Sequence, residues 1–261
     1  MSRSDSQGRW HNLKSEIAEA LLGLLFPGPI FCAACGARLE RNDEYVCSAC
    51  RAQIILLSEP MCRRCGRPIS YPGFCTQCCL RERSFVRSWP AAAYRGALRQ
   101  CLHRFKYNHG VYLAPFLGML LAKRLQQADG VPTDPMVVPV PLDPGRMRHR
   151  GFNQAELLAS ELAKIYGWRL HKKALRRIRT TLPQADLNVE ERWANVSGAF
   201  AATEKLAGKE ILLVDDIYTT GATAEAASQA LKEAGACAVY VATVAIASSH
   251  PQGRRNKYKH K

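Results

Sequence analysis

Apolar and polar positions alternate along the chain in a way that separates strands from helices. Short aliphatic runs predict buried strands at residues 91–94, 136–142, 211–214 and 238–247. Longer segments, with apolar residues three or four positions apart or with many helix-forming residues, predict helices at residues 95–107, 112–127 and 224–234. Strands that alternate with helices are typical of an α/β domain, in which helices flank a mostly parallel sheet.

The strand at residues 211–214 runs directly into acidic and hydroxyl side chains. Asp215 and Asp216 follow the apolar run, where we expect the strand to end. A turn of small and hydroxyl-bearing residues comes next, formed by Thr219, Thr220, Gly221, Ala222 and Thr223. Because α/β sheets bind ligands at the carboxyl ends of their parallel strands, we expect a binding site here.

The side chains of this turn favour a sugar phosphate. The N-terminus of the following helix would attract phosphate, the threonine hydroxyls would donate hydrogen bonds, and Gly221 would let the ligand approach the backbone. The turn contains no lysine, so it is not a Walker A motif. Two adjacent carboxylates suit sugar hydroxyls and Mg²⁺, so these groups together predict a ribose 5-phosphate ligand. The alternative is an acidic pair that only caps a structural turn.

Three arginines precede another predicted helix. Arg146, Arg148 and Arg150 lie in a predicted loop at residues 143–152, just before a helix that opens with the capping-box pattern of Asn153 and Glu156. Pyrophosphate carries more charge than a phosphate monoester, so this denser cluster of positive charge suits pyrophosphate. The alternative is a basic loop that faces solvent.

A third basic segment is polar and long. Residues 176–200 lack clear periodicity, which predicts a loop of the length that is usually functional or disordered. Arg177 and Arg179, together with Arg192, are candidates for a second clamp on pyrophosphate. The basic end of the helix at residues 95–107 is expected to face solvent, and a contact from Lys106 to a phosphate is the alternative.

The cysteine spacing predicts metal sites. Of eleven cysteines, eight form four C-x-x-C pairs: Cys32 and Cys35, Cys47 and Cys50, Cys62 and Cys65, Cys75 and Cys78. Two such turns supply four thiolates for tetrahedral Zn²⁺, so we expect two structural zinc ions in a small cysteine-rich module. Consecutive pairing gives a tandem zinc ribbon, and a cross-brace between the first and third pairs stays open. Cys79 competes with Cys78 as the eighth ligand, although spacing favours Cys78; redox-active dithiols are the alternative to metal.

The net charge of +15 favours an anionic partner, such as nucleic acid, a nucleotide or an acidic membrane surface. Basic and aromatic residues alternate around the second pair of cysteine turns: Arg63, Arg64, Arg67, Arg81, Arg83 and Arg87, with Tyr71, Phe74, Phe85 and Trp89. Side chains of these kinds hold single-stranded DNA by stacking and phosphate pairing. Alternatively the aromatic residues form the small core of the ribbon or its contact with the next domain, which is our expectation for Phe85 and Trp89.

The two ends of the chain lie outside these patterns. Residues 10–26 predict an amphipathic helix, and residues 250–261 carry five lysines and arginines with no acid, which predicts a disordered tail. The N-terminus does not resemble a signal peptide, and no apolar run is long enough to span a membrane. We therefore expect a cytoplasmic protein.

The stretch from Ile211 to Thr223 resembles the 5-phosphoribosyl-1-pyrophosphate (PRPP) motif of type I phosphoribosyltransferases. That resemblance implies that Asp215 and Asp216 hold the ribose 2′- and 3′-hydroxyls, and that the turn at residues 219–223 holds the 5′-phosphate. It also implies a pyrophosphate loop at residues 143–152 and a mobile flap at residues 176–200.

Four segments in order resemble the competence protein F (ComF) family of bacteria: the paired ribbons, residues 94–107, residues 139–154 and residues 213–223. The resemblance implies a role in natural transformation or the use of incoming DNA, with a competence helicase or the uptake machinery as a partner. It divides the chain into an N-terminal helix (residues 1–30), a double zinc ribbon (31–89), a type I phosphoribosyltransferase-like domain (90–248) and a basic tail (249–261).

Two functions are compatible with these features. In the first, the protein is a phosphoribosyltransferase, a pentosyl-transferring enzyme that uses PRPP and Mg²⁺ and whose acceptor the sequence does not identify. In the second, the PRPP fold acts as a sensor or scaffold without catalysis, and the ribbons and tail hold single-stranded DNA. Both functions include binding of PRPP.

Overall fold

The computed structural model describes residues 30–41, 43–107, 110–181 and 187–247. The predicted helix at residues 10–26 and the predicted tail at residues 249–261 lie outside this part of the chain. The chain forms two compact units, Met1–Ala52 and Gln53–Lys261. The second four-cysteine group therefore belongs to the same compact unit as the sheet, while the functional division at residues 89 and 90 stays a prediction.

The smaller unit contains the first four-cysteine group. Its described part includes the helix α1, Ser48–Ala52, and an isolated bridge between Phe31 and Arg38. Gly36 follows the second cysteine of the first turn with a φ of 79°, and its N–H donates to the carbonyl of Cys32 at 3.0 Å. Few apolar side chains are buried in the described part of this unit, so a bound metal would have to supply much of the stability of that part.

The larger unit contains the strands and the remaining helices of the described residues. In chain order its elements are α2 (Thr76–Leu80), β1 (Arg87–Ala93), α3 (Gly96–Lys106), a 3₁₀ turn (Gly110–Leu113), α4 (Ala114–Gln126), β2 (Met136–Pro139), α5 (Pro144–Arg150), α6 (Gln154–Tyr166), β3 (Leu175–Arg177), α7 (Val189–Val196), β4 (Phe200–Ala202), β5 (Glu210–Tyr218), α8 (Ala222–Glu233) and β6 (Ala238–Ile246).

The main sheet is parallel, with the strand order β1-β6-β5-β2 among the described residues. Strands β5 and β6 are central, and their aliphatic runs are buried because helices cover the sheet. Helices α4 and α6 pack against each other and the sheet, and α8 packs on β5 and β6. Strands β3 and β4 form a separate antiparallel pair. The predicted α/β class with a mostly parallel sheet is confirmed.

Three local predictions were wrong in detail. Strand β5 continues to Tyr218 and pairs with β6 over that length, so Asp215 and Asp216 lie within the strand rather than after it. The predicted loop at residues 143–152 contains helix α5, because Asp143 caps it and Pro144 occupies its first turn. The Oδ1 atom of Asp143 accepts from the N–H of Gly145 at 2.9 Å.

The third difference concerns residues 176–200. They contain β3, α7 and β4 instead of a continuous loop. Helix α7 forms because Asn188 and Glu191 make a reciprocal capping box, with distances of 2.7 and 2.9 Å. Residues 182–186 of the predicted flap lie outside the described residues.

Candidate ribose-phosphate site

A cavity of about 650 Å³ lies where β5 and β2 end. Most of the site residues predicted from the sequence line it: Asp215, Asp216, Thr219, Gly221, Thr223, Arg146, Arg150 and Arg177. The sheet brings the acidic pair and the hydroxylated turn to this place, and α5 and β3 bring the arginines. Residues from three separate segments of the chain thus share one cavity, which carries both acidic and basic side chains.

Lys106 lines this cavity, although we expected the end of its helix to face solvent. Its Nζ atom lies 2.8 Å from Oδ2 of Asp216, and the two side chains are 24% and 12% exposed. The N–H of Asp216 donates to Oδ1 of Asp215 at 2.8 Å. The end of helix α3 therefore supplies a counter-charge to the acidic pair. No local sequence signal shows this, because the pairing joins residues more than a hundred positions apart.

Burial dominates the electrostatics of the acidic pair. Burial and the charge of Asp216 raise the pKa of Asp215 from its ordinary value of 3.8 to about 7. Lys106 acts in the opposite direction on this carboxyl group. Burial alone would lower the pKa of Lys106, but the charge and the hydrogen bond of Asp216, together with the charge of Asp215, outweigh burial, so the pKa of this ammonium group is raised. The resting site therefore holds one firm ion pair beside a carboxyl group that ionises near neutral pH.

The raised pKa of Asp215 predicts an unusual pH dependence of stability. Between about pH 4 and pH 7 the folded protein keeps a proton that the unfolded chain has lost, so the free energy of unfolding should fall as the pH rises through this window. We expect the Asp215→Asn variant to lack this contribution. The melting temperature of the variant minus that of the wild type should therefore grow from pH 5 to pH 7 and then level off. A difference in melting temperature that stays constant with pH would contradict a raised pKa for the buried carboxyl group of Asp215.

The turn after β5 depends on a glycine. Gly221 has a φ of 84°, in the left-handed region, and a Cβ atom there would overlap the hydroxyl group of Tyr218. Helix α8 begins at the next residue. Thr219, Gly221 and Thr223 line the cavity, whereas Thr220 and Ala222 do not. Thr220 instead accepts a hydrogen bond from the N–H of Ala222 at 3.4 Å, which supports the turn itself.

The predicted arginines fall into two groups. Arg146, Arg150 and Arg177 line the cavity, together with Arg192. Burial and the nearby charge of Arg146 lower the pKa of Arg177, which shows how closely these positive charges are grouped. An anion in the cavity would relieve this repulsion.

Two of the predicted arginines are not brought to the cavity wall. Arg148 is exposed on α5 and is not among the lining residues. Arg179 donates to the carbonyl groups of Asn195 and Ser197 at 3.0 and 2.6 Å, at the end of α7. The structure thus gives Arg179 a contact within the fold.

Several polar residues of the wall were not predicted. Gln154 and Thr243 line the cavity and are 3% and 1% exposed. Within the described part of the chain, Nε2 of Gln154 and Oγ1 of Thr243 have no hydrogen-bond partner. Buried polar atoms usually have partners, so a pair of them in one cavity wall indicates a place for a polar ligand. Gln154 also accepts from Arg150 at 3.1 Å, and Arg150 contacts the hydroxyl group of Tyr107 at 3.3 Å.

The cysteines form two groups of four with consecutive pairing. One group is Cys32, Cys35, Cys47 and Cys50, and the other is Cys62, Cys65, Cys75 and Cys78; within each, the sulfur atoms all lie within 4.8 Å of one another. The cross-brace alternative is therefore wrong. Cys79 lies outside the group, is exposed, and has its Sγ 3.9 Å from the carbonyl oxygen of Phe74.

The sulfur geometry fits zinc. A Zn–S bond of about 2.3 Å implies sulfurs about 3.8 Å apart in a tetrahedron. The Sγ atoms of Cys35 and Cys47 lie 3.8 Å apart, and those of Cys65 and Cys75 lie 3.6 Å apart. Backbone N–H groups also donate to ligand sulfurs, as from Cys75 to Cys62 at 3.3 Å, which stabilises thiolates. The two groups of four sulfur atoms therefore support two zinc sites, as the cysteine spacing predicted.

The second ribbon uses many of its basic side chains inside the fold. Arg64 donates to the carbonyl of Arg83 at 3.3 Å, and Arg87 donates to that of Asp129 at 3.3 Å. Arg83 is buried, with its guanidinium group 4.6 Å from the ring centre of Trp193. The basic composition of this segment therefore reflects internal contacts to a large extent.

The aromatic residues of the second ribbon divide as expected. Phe85 and Trp89 are 1% and 0% exposed, so their prediction as core residues is confirmed. Tyr71 and Phe74 are 82% and 50% exposed, and Arg64 lies 5.9 Å from the ring centre of Phe74.

Comparisons with known proteins define the class to which this arrangement belongs. A family model described as a double zinc ribbon domain matches residues 21–79, and one described as a phosphoribosyl transferase domain matches residues 148–261. The chain is thus a double zinc ribbon joined to a phosphoribosyltransferase-type α/β domain, as the sequence predicted.

Curated relatives define the family more narrowly. The DNA utilization protein YhgH of Salmonella typhi is 30% identical over 217 residues, which cover 82% of this chain and 95% of the relative. Competence protein F of Haemophilus influenzae is 29% identical over 214 residues, covering 78% and 91%. Competence protein ComFC of Streptococcus pneumoniae is 29% identical over 200 residues, covering 76% and 86%. The chain belongs to the competence protein F (ComF) family.

The helices of the described residues are too short or too polar to cross a lipid bilayer.

Proposed function

We propose that the cavity binds PRPP together with Mg²⁺. The observation that carries this proposal is the meeting of an acidic pair, a hydroxylated turn before a helix, and a cluster of arginines in one cavity. PRPP combines the groups that these walls suit: a diol, a phosphate monoester and a pyrophosphate. The match of the chain to a phosphoribosyl transferase domain supports the same ligand.

Different residues of the cavity wall would bind different parts of PRPP. Asp215 and Asp216 would accept hydrogen bonds from the ribose hydroxyls, and the turn at residues 219–223 would hold the 5′-phosphate through N–H and hydroxyl groups. The arginines that line the cavity would hold the pyrophosphate. We leave Arg148 and Arg179 out of this set, because the first lies off the cavity and the second is engaged at the end of α7.

Mg²⁺ fits this donor set. It prefers oxygen ligands, and it usually binds through one or two carboxylates together with substrate phosphates. Asp215 and Asp216 are the carboxylates that line the cavity, so they are the protein groups that would orient the ion. When bound, Mg²⁺ would neutralise charge that builds up on the departing pyrophosphate.

The chemistry we propose is phosphoribosyl transfer. The bond between C1 of the ribose and the pyrophosphate oxygen breaks, the electron pair leaves with pyrophosphate, and a nucleophile forms a new bond to C1. The arginines would stabilise the leaving anion, and the acidic pair would hold the sugar in place. Lys106 would hold the carboxylate of Asp216 in position through its 2.8 Å ion pair. The acceptor, which we expect to be a base, is not identified by the lining residues.

The curated relatives are named for DNA utilization and competence, so we propose that the protein acts in the cytoplasm during uptake or use of DNA. A helicase or another part of the uptake machinery is the protein partner that this role implies. The second candidate function is a binding role without catalysis, in which PRPP acts as a signal and single-stranded DNA is held. The exposed rings of Tyr71 and Phe74 on the second ribbon favour it, because bases stack on such rings.

A ligand experiment tests the proposal and separates the two functions. PRPP with Mg²⁺ should raise the melting temperature, and ribose 5-phosphate should raise it less, because binding to the folded state stabilises it in proportion to affinity. The same protein is then screened for release of pyrophosphate with nucleobases and other nucleophiles, with and without single-stranded DNA. Release supports the enzyme, whereas PRPP binding without release, together with salt-sensitive retention of single-stranded DNA, supports the binding role. No change in melting temperature with PRPP would reject the site.

A further inference from the structure

The second ribbon contacts the turn that we assign to the 5′-phosphate. Arg67 extends from the ribbon and donates through one guanidinium nitrogen to the carbonyl of Thr219 at 3.2 Å. Its other terminal nitrogen donates to the carbonyl of Ala247, just beyond β6, also at 3.2 Å. One side chain thus joins the first residue of the turn to the end of the neighbouring strand, and these contacts span more than 150 positions of the sequence.

The ribbon also fixes the other side of the turn. Glu225, in the first turn of α8, accepts hydrogen bonds from Ser84, which lies between the ribbon and β1. The backbone N–H of Ser84 is 2.9 and 3.0 Å from the two carboxylate oxygens, and its hydroxyl group is 2.7 Å from Oε1. A carboxylate in the first turn of a helix competes with phosphate for the same N-terminus. The three hydrogen bonds orient this carboxylate toward the ribbon and stabilise its negative charge.

A shared hydrophobic core joins these polar contacts. Cys62, Cys65 and Phe85 of the ribbon belong to the same buried cluster as Tyr218, at the end of β5, and Ala224 of α8. The ring of Phe85 meets that of Tyr218 edge to face, with ring centres 6.4 Å apart and an angle of 86°. The Tyr218 hydroxyl occupies the space where a side chain at position 221 would lie. The turn is therefore supported from behind by ribbon residues.

We infer that the second zinc ribbon is the fixed wall of the 5′-phosphate half of the site, and that Arg67 is its positioning residue. This inference rests on the proposed binding of PRPP. A turn whose carbonyl group is held in place does not need to be ordered when the ligand binds, which favours affinity. The guanidinium group also places a positive charge directly behind the turn, where it favours a phosphate dianion. The ribbon acts on the phosphate only through the turn, without touching the ligand.

The experiment compares ligands that use different halves of the site. The variants are Arg67→Met, which removes both hydrogen bonds but keeps an apolar stem, Arg67→Lys, which keeps the charge, and Arg63→Met as an exposed control on the same ribbon. Dissociation constants are measured by calorimetry in Mg²⁺ for PRPP, ribose 5-phosphate and pyrophosphate, and zinc content is measured for each protein. We expect Arg67→Met to bind PRPP and ribose 5-phosphate about tenfold more weakly, as two lost hydrogen bonds would allow. Pyrophosphate should bind as in the wild type, Arg67→Lys should recover part of the loss, and Arg63→Met should match the wild type.

The outcomes separate this inference from the proposed function. A wild-type protein that does not bind PRPP rejects the site and with it the inference. A wild type that binds, with an Arg67→Met variant that binds ribose 5-phosphate equally well, overturns the inference alone. Equal losses for pyrophosphate and ribose 5-phosphate would also overturn it, because they would indicate general damage. Should Arg67→Met fail to fold, Ser84→Ala is used instead; its affinity for ribose 5-phosphate should fall selectively by a smaller factor, and an unchanged affinity overturns the inference.

Discussion

Replacing Asp215 by asparagine should give a protein that is more stable than the wild type and binds PRPP poorly. The wild-type carboxyl group has a pKa raised to about 7, so its ionised form is disfavoured in the folded state. Asparagine removes this charge but keeps an oxygen that can accept from the N–H of Asp216. At pH 8 we expect a gain on the order of 1 kcal/mol, or about 2–4 °C in melting temperature, after allowing for solvent screening.

The binding loss should be much larger than the stability gain. A hydrogen bond between a charged group and a ligand hydroxyl contributes about 1.5–3 kcal/mol, so the affinity for PRPP should fall roughly 10- to 150-fold. Thermal shift with increasing PRPP and calorimetry measure the two effects on one sample. A variant that is stabilised and still binds PRPP like the wild type would remove Asp215 from the ribose site.

Asp216→Asn is the matched control for stability. This change removes the partner of Lys106, which is partly buried and held by the 2.8 Å ion pair, so it should lower stability while the change at the adjacent position raises it. Both variants should lose affinity for PRPP. Opposite changes in stability with a common loss of binding would not arise from a general defect in folding.

Loss of the second zinc ion should destabilise the larger unit as a whole. In the Cys78→Ser variant one of the four ligands is missing, while Cys62, Cys65 and Cys75 remain within the core that includes β2, β5 and α8. Structural zinc contributes on the order of 10 kcal/mol to small metal-dependent folds. We expect the melting temperature to fall by roughly 10 °C or more, as about 4 kcal/mol would cause in a unit of this size. Calorimetry and zinc content provide the measurement.

The neighbouring cysteine supplies a close control. Cys79 is exposed and lies outside the four-sulfur group, so Cys79→Ser should keep two zinc ions per chain and the wild-type melting temperature. If Cys79→Ser lost metal and Cys78→Ser kept it, the assignment of the eighth ligand would be wrong. Cys35→Ser, in the smaller unit, should lower the zinc content to one ion per chain.

The parts of the molecule that depend on local pattern were predictable from the sequence. The aliphatic runs gave β5 and β6, because strands buried on both faces of a parallel sheet must be apolar throughout. The C-x-x-C spacing gave both groups of metal ligands, because each turn is itself a local structure. The cavity beside the turn after β5 was expected from the rule that ligands bind at the carboxyl ends of such strands, although Asp215 lies within β5 rather than after it.

Features that depend on distant residues were not predictable in this way. Lys106 ends a helix with a basic last turn, which is also the pattern of a solvated helix end, and only the fold brings it to Asp216. The arginines of the second ribbon suggested a surface for nucleic acid, whereas Arg67 and Arg83 make contacts inside the fold. Helices α5 and α7 carried visible capping residues in Asp143 and Asn188, but their short length left too little periodicity to reveal them.

The order of the strands has a consequence for how the protein is made. In the described part of the chain, β1 and β2 each have a single neighbouring strand in the main sheet, and those neighbours, β6 and β5, leave the ribosome after them. During translation the apolar surfaces of the second ribbon and of both early strands stay exposed to solvent, because the strands that cover them have not yet been synthesised. The larger unit can therefore be completed only after β6 has been made, and a chain released before β6 would present chaperones and proteases with an open sheet.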